Sequence, residues 1–374
     1  MTFETDFLVF GPGDVDLQQS PLRKSLNAET FVLGAFNPGL ARLPNGNVLI
    51  MVRVAEALRQ ATVDNHIHAI RWQSERGFQL DAYPVSQTNA SDPRKFQLLG
   101  YHSKVVALTS LSWLLPVELD SEGKQVVAVH YDKVIAPQRS YQEYGVEDAR
   151  ISRIEDIYYM TTCSVSAERH STTLYTSPDG LNYTLQGIVL DHQNKDMLYF
   201  EGRPNGRFYA LTRPLGDLYF AYPPDNPYHA GPSINLATSP DGLHWRPVET
   251  PLIRPRKGST SAMRIGGGSQ PVATREGWLM LYHGVESRTL VGVYRTFWAL
   301  LDLHDPSRVL RLCDDHPLLE SRPDLTEQIK DQRYLSDVVF TTGIVDHGEN
   351  YIVASGEIDL ACRITHIPKA VFQC

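Results

Sequence analysis

The chain has 374 residues, 42% of them hydrophobic, and a formal net charge of −8, so it has ample material for a core and exceeds the usual single domain unless the fold is a large all-β unit. Lys and Arg are scattered rather than clustered, which argues against nucleic acid and against an anionic membrane surface as partners; a sugar or another neutral ligand fits better. No run approaches the roughly 20 apolar residues of a membrane helix, and the acidic opening from Met1 to Asp16 has neither the basic nor the apolar part of a secretory signal.

Short alternating apolar runs bounded by Pro, Gly, Asn and Asp recur along the chain, and no long stretch keeps a helical apolar period. Residues 40–43 turn through Pro44-Asn45-Gly46-Asn47 into 48–54, and 150–154 turn through Glu155-Asp156 into 157–162. Further on, Asn205-Gly206 leads into 207–213, Arg275-Glu276-Gly277 into 278–284, and Gly348-Glu349-Asn350 into 351–356. Another β run follows most of these pairs after a gap, at 172–176, 234–238, 291–301 and 360–364. Thr-Ser-Pro-Asp-Gly-Leu occurs twice, at Thr176 to Leu181 and Thr238 to Leu243, and Asp-Gly at a hairpin explains both as structural turns. Five copies of one unit predict an all-β, five-bladed β-propeller occupying residues 1–374 as a single catalytic domain. A β-sandwich or barrel is the alternative, but a spacing of roughly 50 to 70 residues suits four-stranded blades.

Propellers bind ligands where the inner strands converge, and polar residues recur near the ends of these units. Asn37 and Arg53 flank the first hairpin; Glu147, Asp148 and Arg150 open the second. Lys195, Asp196 and Arg203 precede the third hairpin and Arg213 closes it. Arg264 opens the fourth, ahead of Gly266-Gly267-Gly268, with His283 at its strand end; Asp359 lies in the fifth. Charges that are costly to bury, placed at equivalent points of a repeat, are what a shared central site produces. Each has a plainer reading: Asp148 with Arg150 as a turn ion pair, His283 as a satisfied strand histidine, Arg213 beside Pro214 as a strand cap. The triple glycine lacks the strand-to-helix setting of a phosphate loop and reads as a close backbone approach. Trp245, Trp278 and Trp298 read as core.

Phe36-Asn37-Pro38-Gly39, Val52-Arg53-Val54, Glu147-Asp148-Ala149-Arg150-Ile151, Asn194-Lys195-Asp196, Arg264 to Gly268, Tyr282-His283-Gly284-Val285 and Gly356 to Asp359 together resemble glycoside hydrolase family 130, inverting β-mannoside phosphorylases and some β-mannosidases on a five-bladed propeller. The resemblance spans roughly residues 30 to 365 with the motifs in order. It implies Asp148 as general acid, delivering its proton through the sugar's 3-hydroxyl, and Arg213, Arg264, His283 and Tyr294 as binders of inorganic phosphate, with Arg264 where a Lys is common. It places Asn37, Arg53, Lys195 and Asp359 around the mannosyl unit; Arg150, Asp196 and Arg203 join them as substrate-binding candidates. Two departures stand out: Ala149 replaces the Pro after the acid, and Glu201-Gly202-Arg203 replaces Pro-Glu-Lys.

The expectation is therefore a cytoplasmic enzyme that cleaves a β-mannoside with inorganic phosphate, giving α-mannose 1-phosphate. No cofactor or metal is implied, and phosphate is a co-substrate. Four distant cysteines, Cys163, Cys313, Cys362 and Cys374, lack metal-site spacing and read as free thiols of a reducing compartment. An inverting hydrolase needs a second carboxylate to activate water, for which Glu201 and Glu286 are the candidates; a non-catalytic glycan-binding propeller would not need the proton donor. Linkage and acceptor are left to variable loops such as 57–93 and 222–232, and a homo-oligomer is left open.

Overall fold

The computed structural model describes residues 2–92, 94–102, 104–190, 192–216, 220–261, 263–286 and 291–373; Cys374 lies outside them. The fold is all-β, with five antiparallel sheets whose leading strands, each at one edge of its sheet, are Thr30–Arg42, Val146–Ile154, Asn194–Tyr199, Arg264–Gly267 and Val339–His347. Four of these sheets have four strands, and the fourth has five because its leading edge is split between Arg264–Gly267 and Val272–Ala273. The predicted hairpins are the first two strands of each sheet. Asp6–Phe10 from the N-terminus supplies the outermost strand of the fifth sheet by pairing with Ala361–Pro368, a pairing that local patterning could not disclose.

Apolar clusters fill the space between successive sheets. Leu49, Met51 and Leu114 meet Ile151 and Tyr158; Ile154 and Leu174 meet Met197 and Phe208; Leu198 and Leu211 meet Ile265 and Met280. Leu281 and Leu300 pack on Val339 and Ile344, and Ile352 and Ile364 pack back on Val48 and Trp113 of the first sheet. Between the third and fourth sheets, Trp278 is core, and Trp298 and Trp245 are likewise packed against aromatic neighbours.

The leading strands also touch one another in sequence order. A Cβ on Gly39 would lie 2.9 Å from the Ala149 carbonyl oxygen, Ser152 Oγ donates to the Tyr199 carbonyl at 2.7 Å, and Gly267 packs against Leu198 too closely for any side chain. A Cβ on Gly268 would sit 3.2 Å from the Thr341 carbonyl oxygen, and Thr342 Oγ1 donates to the Pro38 carbonyl at 2.8 Å. The predicted close approach of backbones holds at Gly268; at Gly266 and Gly267 it is side chains, of His283, Asp196 and Leu198, that leave no room for a Cβ.

The repeated Thr-Ser-Pro-Asp-Gly turns join the third and fourth strands of the second and third sheets. In each, a serine hydroxyl accepts from the glycine amide, Ser177 from Gly180 at 2.9 Å and Ser239 from Gly242 at 2.8 Å; both glycines have left-handed φ, 80° and 77°, which explains the residue. One expectation needs correction. The segment 57–93, read as a variable loop, is the start of a folded insertion between Val48–Leu58 and Ser110–Leu119, carrying two three-stranded sheets (62–63, 66–73 and 77–84; 88–92, 95–98 and 105–108) with its own small core of Ile67, Ala69, Phe96 and Ala107. Its strands are half exposed and bury few side chains in strict alternation, so they carry little pattern to read.

Candidate active site

The leading strands are interrupted at equivalent points. Pairing register shifts between Phe36 and Gly39, Glu147 and Arg150, Lys195 and Leu198, and Thr341 and Gly343. Such bulges bend a strand and re-aim its side chains. At three of them the re-aimed residue has a left-handed backbone, Asn37 (φ 47°), Asp148 (φ 52°) and Asp196 (φ 57°), and Asp359 (φ 52°) does the same in a tight turn. Asn and Asp tolerate this region better than other side chains, which is a physical reason for amide and carboxylate groups at these positions.

Asp148 is the hub of an acidic half of the site. Its Oδ1 accepts from Arg53 Nη1 at 2.9 Å and from Asn37 Nδ2 at 2.9 Å. Arg53 also holds Glu147 at 2.8 Å, Lys195 Nζ lies 3.3 Å from the other Glu147 oxygen, and Arg53 Nε donates to Ser112 Oγ at 3.0 Å. Burial pushes the Asp148 carboxyl upward, but Arg53, Lys195, Arg150 and the Asn37 amide together bring it below the usual carboxylate range. The Glu147 carboxyl is lowered in the same way, burial being outweighed by Arg53 and Lys195. Asp359 differs: burial lifts it to about 6 against the pull of Arg53 and Arg94, with Asp148 and Glu147 adding to the rise.

A cationic half lies on the third and fourth sheets. Arg213 Nη2 is 2.9 Å from Asp196 Oδ2 and its Nη1 is 3.3 Å from His283 Nε2. Arg264 Nη2 donates to the Tyr294 hydroxyl at 2.5 Å and to the Val291 carbonyl at 3.0 Å. The His283 ring stacks 4.7 Å from Phe340 and 5.7 Å from Tyr294; burial, then Arg213, Arg150 and Arg264, hold its pKa well below normal, so it is neutral. A Cβ on Gly266 would lie 2.6 Å from His283 Cε1 and 2.7 Å from Asp196 Oδ2, which is why glycine stands there. Arg150 joins the halves: it donates to the Asp148 carbonyl at 2.9 Å and the Gly268 carbonyl at 2.7 Å, lies 3.6 Å from Asp196 Oδ1 and stacks over Phe340 at 5.2 Å. Among the described residues, buried Arg150 Nη2 and Arg213 Nε have no hydrogen-bond partner. Unspent guanidinium donors beside a neutral histidine are suited to an incoming oxyanion.

The structure thus gathers Asn37, Arg53, Asp148, Arg150, Lys195, Asp196, Arg213, Arg264, His283, Tyr294 and Asp359. Three candidates fall elsewhere. Arg203 stacks over Phe208 and donates to the Gly206 carbonyl at 2.9 Å, at the turn end of the third sheet. Glu201 accepts from the Arg153 amide at 3.3 Å, five residues along the strand from Asp148, or roughly 17 Å of extended chain. Burial lifts its carboxyl to about 7. Glu286 is bound by Arg295 at 3.0 Å and, three residues beyond His283, faces the opposite side of its strand. In each case nearness to a motif in sequence hid the direction or the length of a strand.

Four contributors escaped the sequence reading. Arg94, from the insertion, is gripped by Asp92 at 3.0 and 2.9 Å and points its remaining Nη1 to 3.8 Å from Asp359. Tyr334 donates to the Asp359 carbonyl at 2.7 Å, and Phe340 floors both Arg150 and His283. His170 is brought down to about 4 by burial and then Lys195. Only Phe340, in a strand adjoining a central bulge, had a signal that could have found it.

Comparison with known proteins bears on this geometry. The model of glycoside hydrolase family 130, described as beta-1,4-mannooligosaccharide phosphorylase, matches residues 99–373. A beta-1,2-mannobiose phosphorylase of Listeria innocua is 31% identical over 91% of this chain and 92% of its own. A 1,2-beta-oligomannan phosphorylase of a Thermoanaerobacter species is 30% identical over 61% of this chain and 70% of its own. Among solved structures, the beta-1,2-mannobiose phosphorylase from Listeria innocua in complex with beta-1,2-mannobiose superposes with a TM-score of 0.80 at 28% identity, covering 98% of each chain.

Proposed function

The chain belongs to glycoside hydrolase family 130, and from that premise we propose an inverting β-mannoside phosphorylase, specific for β-1,2 linkages, acting through Asp148 and a phosphate pocket of Arg213, Arg264, His283 and Tyr294. The observation that carries the reading is the separation of the site into an acidic half around Asp148 and a cationic half with spare donors. The β-1,2 assignment is supported by the nearly full-length likeness to the Listeria enzyme.

In this reading a phosphate, carrying between one and two negative charges, lies against Arg213, Arg264, His283 and Tyr294 and attacks the anomeric carbon from the side opposite the leaving oxygen. Phosphate needs no base. One carboxylic acid, Asp148, serves departure of the leaving sugar, its proton passing through the sugar's 3-hydroxyl. Its protein partners hold Asp148 ionised, and two changes raise it on binding: the negative charge of phosphate nearby and exclusion of water by the sugar. Arg53, Lys195, Asn37 and Asp359 hold the mannosyl hydroxyls, and Arg150 with Asp196 fixes the distance between the halves. A hydrolase is disfavoured because Glu201 and Glu286 stand away from Asp148 while all four phosphate groups remain.

The reading includes the architecture: five sheets as blades of a propeller spanning one catalytic unit, closed by the N-terminal strand. The circuit of leading-strand contacts and five intersheet cores supports it. It also includes a cytoplasmic location, where a charged sugar phosphate is retained; buried thiols Cys163 and Cys362, outside any disulfide, fit a reducing compartment, and no helix among the described residues is long and apolar enough to cross a membrane. Incubation with β-1,2- and β-1,4-mannobiose in phosphate tests the assignment. Mannose 1-phosphate should form faster from the β-1,2 disaccharide; faster turnover of the β-1,4 isomer would overturn the linkage.

A further inference from the structure

A shallow cleft of about 570 Å³ opens on the catalytic end of the sheets, between the insertion and the approach to the second sheet. Arg71, Asp81 and Tyr83 of the insertion form one wall; Glu143, Tyr144 and Ala167 form the other. Both walls lead to the site. Tyr144 stands three residues before Glu147, roughly 10 Å of extended chain, and Ala167 lies in the connection that ends at His170, whose ring senses the charges of Lys195 and Glu147.

The cleft is rigid and amphipathic. Asp81 grips the Arg71 guanidinium at 2.5 and 2.9 Å, with Glu143 3.9 Å away, so its plane is fixed. Tyr83 is buttressed edge-on by Phe96 at 5.4 Å, and Tyr101 stands nearby, 61% exposed. Burial, helped by Tyr83 and the neighbouring carboxylates, pushes the Tyr144 hydroxyl up to about 12, so it stays a neutral donor. Fixed aromatic faces beside paired charges suit the apolar ring face and hydroxyls of a sugar, whereas two carboxylates against one guanidinium do not suit an anion.

We infer that this cleft is a distal subsite for the leaving portion of a β-mannooligosaccharide, an inference that rests on the phosphorylase reading. Inversion sends the leaving group away from phosphate, and the cleft, beside the first and second sheets, lies on the Asp148 side of the site rather than on the Arg213 side.

The test uses the full chain in saturating phosphate, with β-mannobiose and β-mannotetraose of one linkage. The wild type should show the higher kcat/KM for the tetrasaccharide. Tyr144→Ala and Tyr101→Ala should each lower that value roughly five- to tenfold, the scale of one aromatic contact, and leave the disaccharide unchanged. Tyr101 is exposed, so its variant carries the test should Tyr144→Ala fail to fold. Equal kcat/KM for the two lengths in the wild type, or variants that lower neither or both substrates alike, would overturn the subsite while leaving the phosphorylase standing. Absence of mannose 1-phosphate from either substrate would overturn the phosphorylase reading itself.

Discussion

The two ends of the sheets use aspartate in opposite ways. At the turn end, Asp179 accepts from the backbone amides of Leu181 and Asn182 at 2.9 and 2.8 Å, and Asp241 accepts from Leu243 and His244 at 2.9 Å each. Their charge is spent on their own turns. At the opposite end, Asp148, Asp196 and Asp359 sit in left-handed backbone and turn toward guanidinium groups elsewhere in the chain. Cations there keep unspent donors. A carboxylate that satisfies its own backbone builds a turn; one held by a distant cation in a strained backbone is available for chemistry.

The sharpest way to break this contrast is to neutralise one aspartate at each end. Asp148→Asn should lower turnover by at least about 100-fold with little change in the thermal midpoint; near-normal turnover would remove Asp148 from the mechanism. Next in size, His283→Ala or Tyr294→Phe should raise the KM for phosphate by about 10- to 100-fold, the scale of a hydrogen bond to a charged partner, and shift the KM for mannoside far less. At the turn end, Asp179→Ala should cost roughly 0.5–1 kcal/mol of stability, as lost capping does, read from a denaturant midpoint, with kcat/KM intact. Glu201→Gln should likewise leave kcat/KM unchanged.

The smallest effect follows from Asp359. Its folded carboxyl titrates at about 6, above the usual 3.8, so between those values the folded state holds a proton that the unfolded chain has released, and stability falls as pH rises through that window. Asp359→Asn removes the dependence. The difference in thermal midpoint, variant minus wild type, should grow from pH 4 to pH 6 and then level; a difference that shrinks over that range would show the carboxyl to be stabilised as the anion.

Much of this was legible in the chain. Hairpin turns such as Pro44-Asn45-Gly46-Asn47 announced the sheets because turn chemistry is local, and Asn37, Asp148 and Lys195, singled out as polar residues recurring near the ends of the repeat units, are ones the fold brings together. The outer strand Asp6–Phe10 was hidden because its partner lies at the other end of the chain. Arg94 was hidden because what matters about it is the 3.8 Å to Asp359, which only the folded insertion creates. Arg203 and Glu201 misled for the converse reason: a strand's length separates them from residues close in sequence.

The claim at the centre is that the cationic half exists for phosphate as nucleophile. Cleavage of β-1,2-mannobiose measured with and without added phosphate, with both sugars and sugar phosphate quantified, tests it directly. The account predicts α-mannose 1-phosphate at a rate that rises with phosphate and little free mannose from the donor unit in its absence; equal release of mannose in phosphate-free buffer would contradict it.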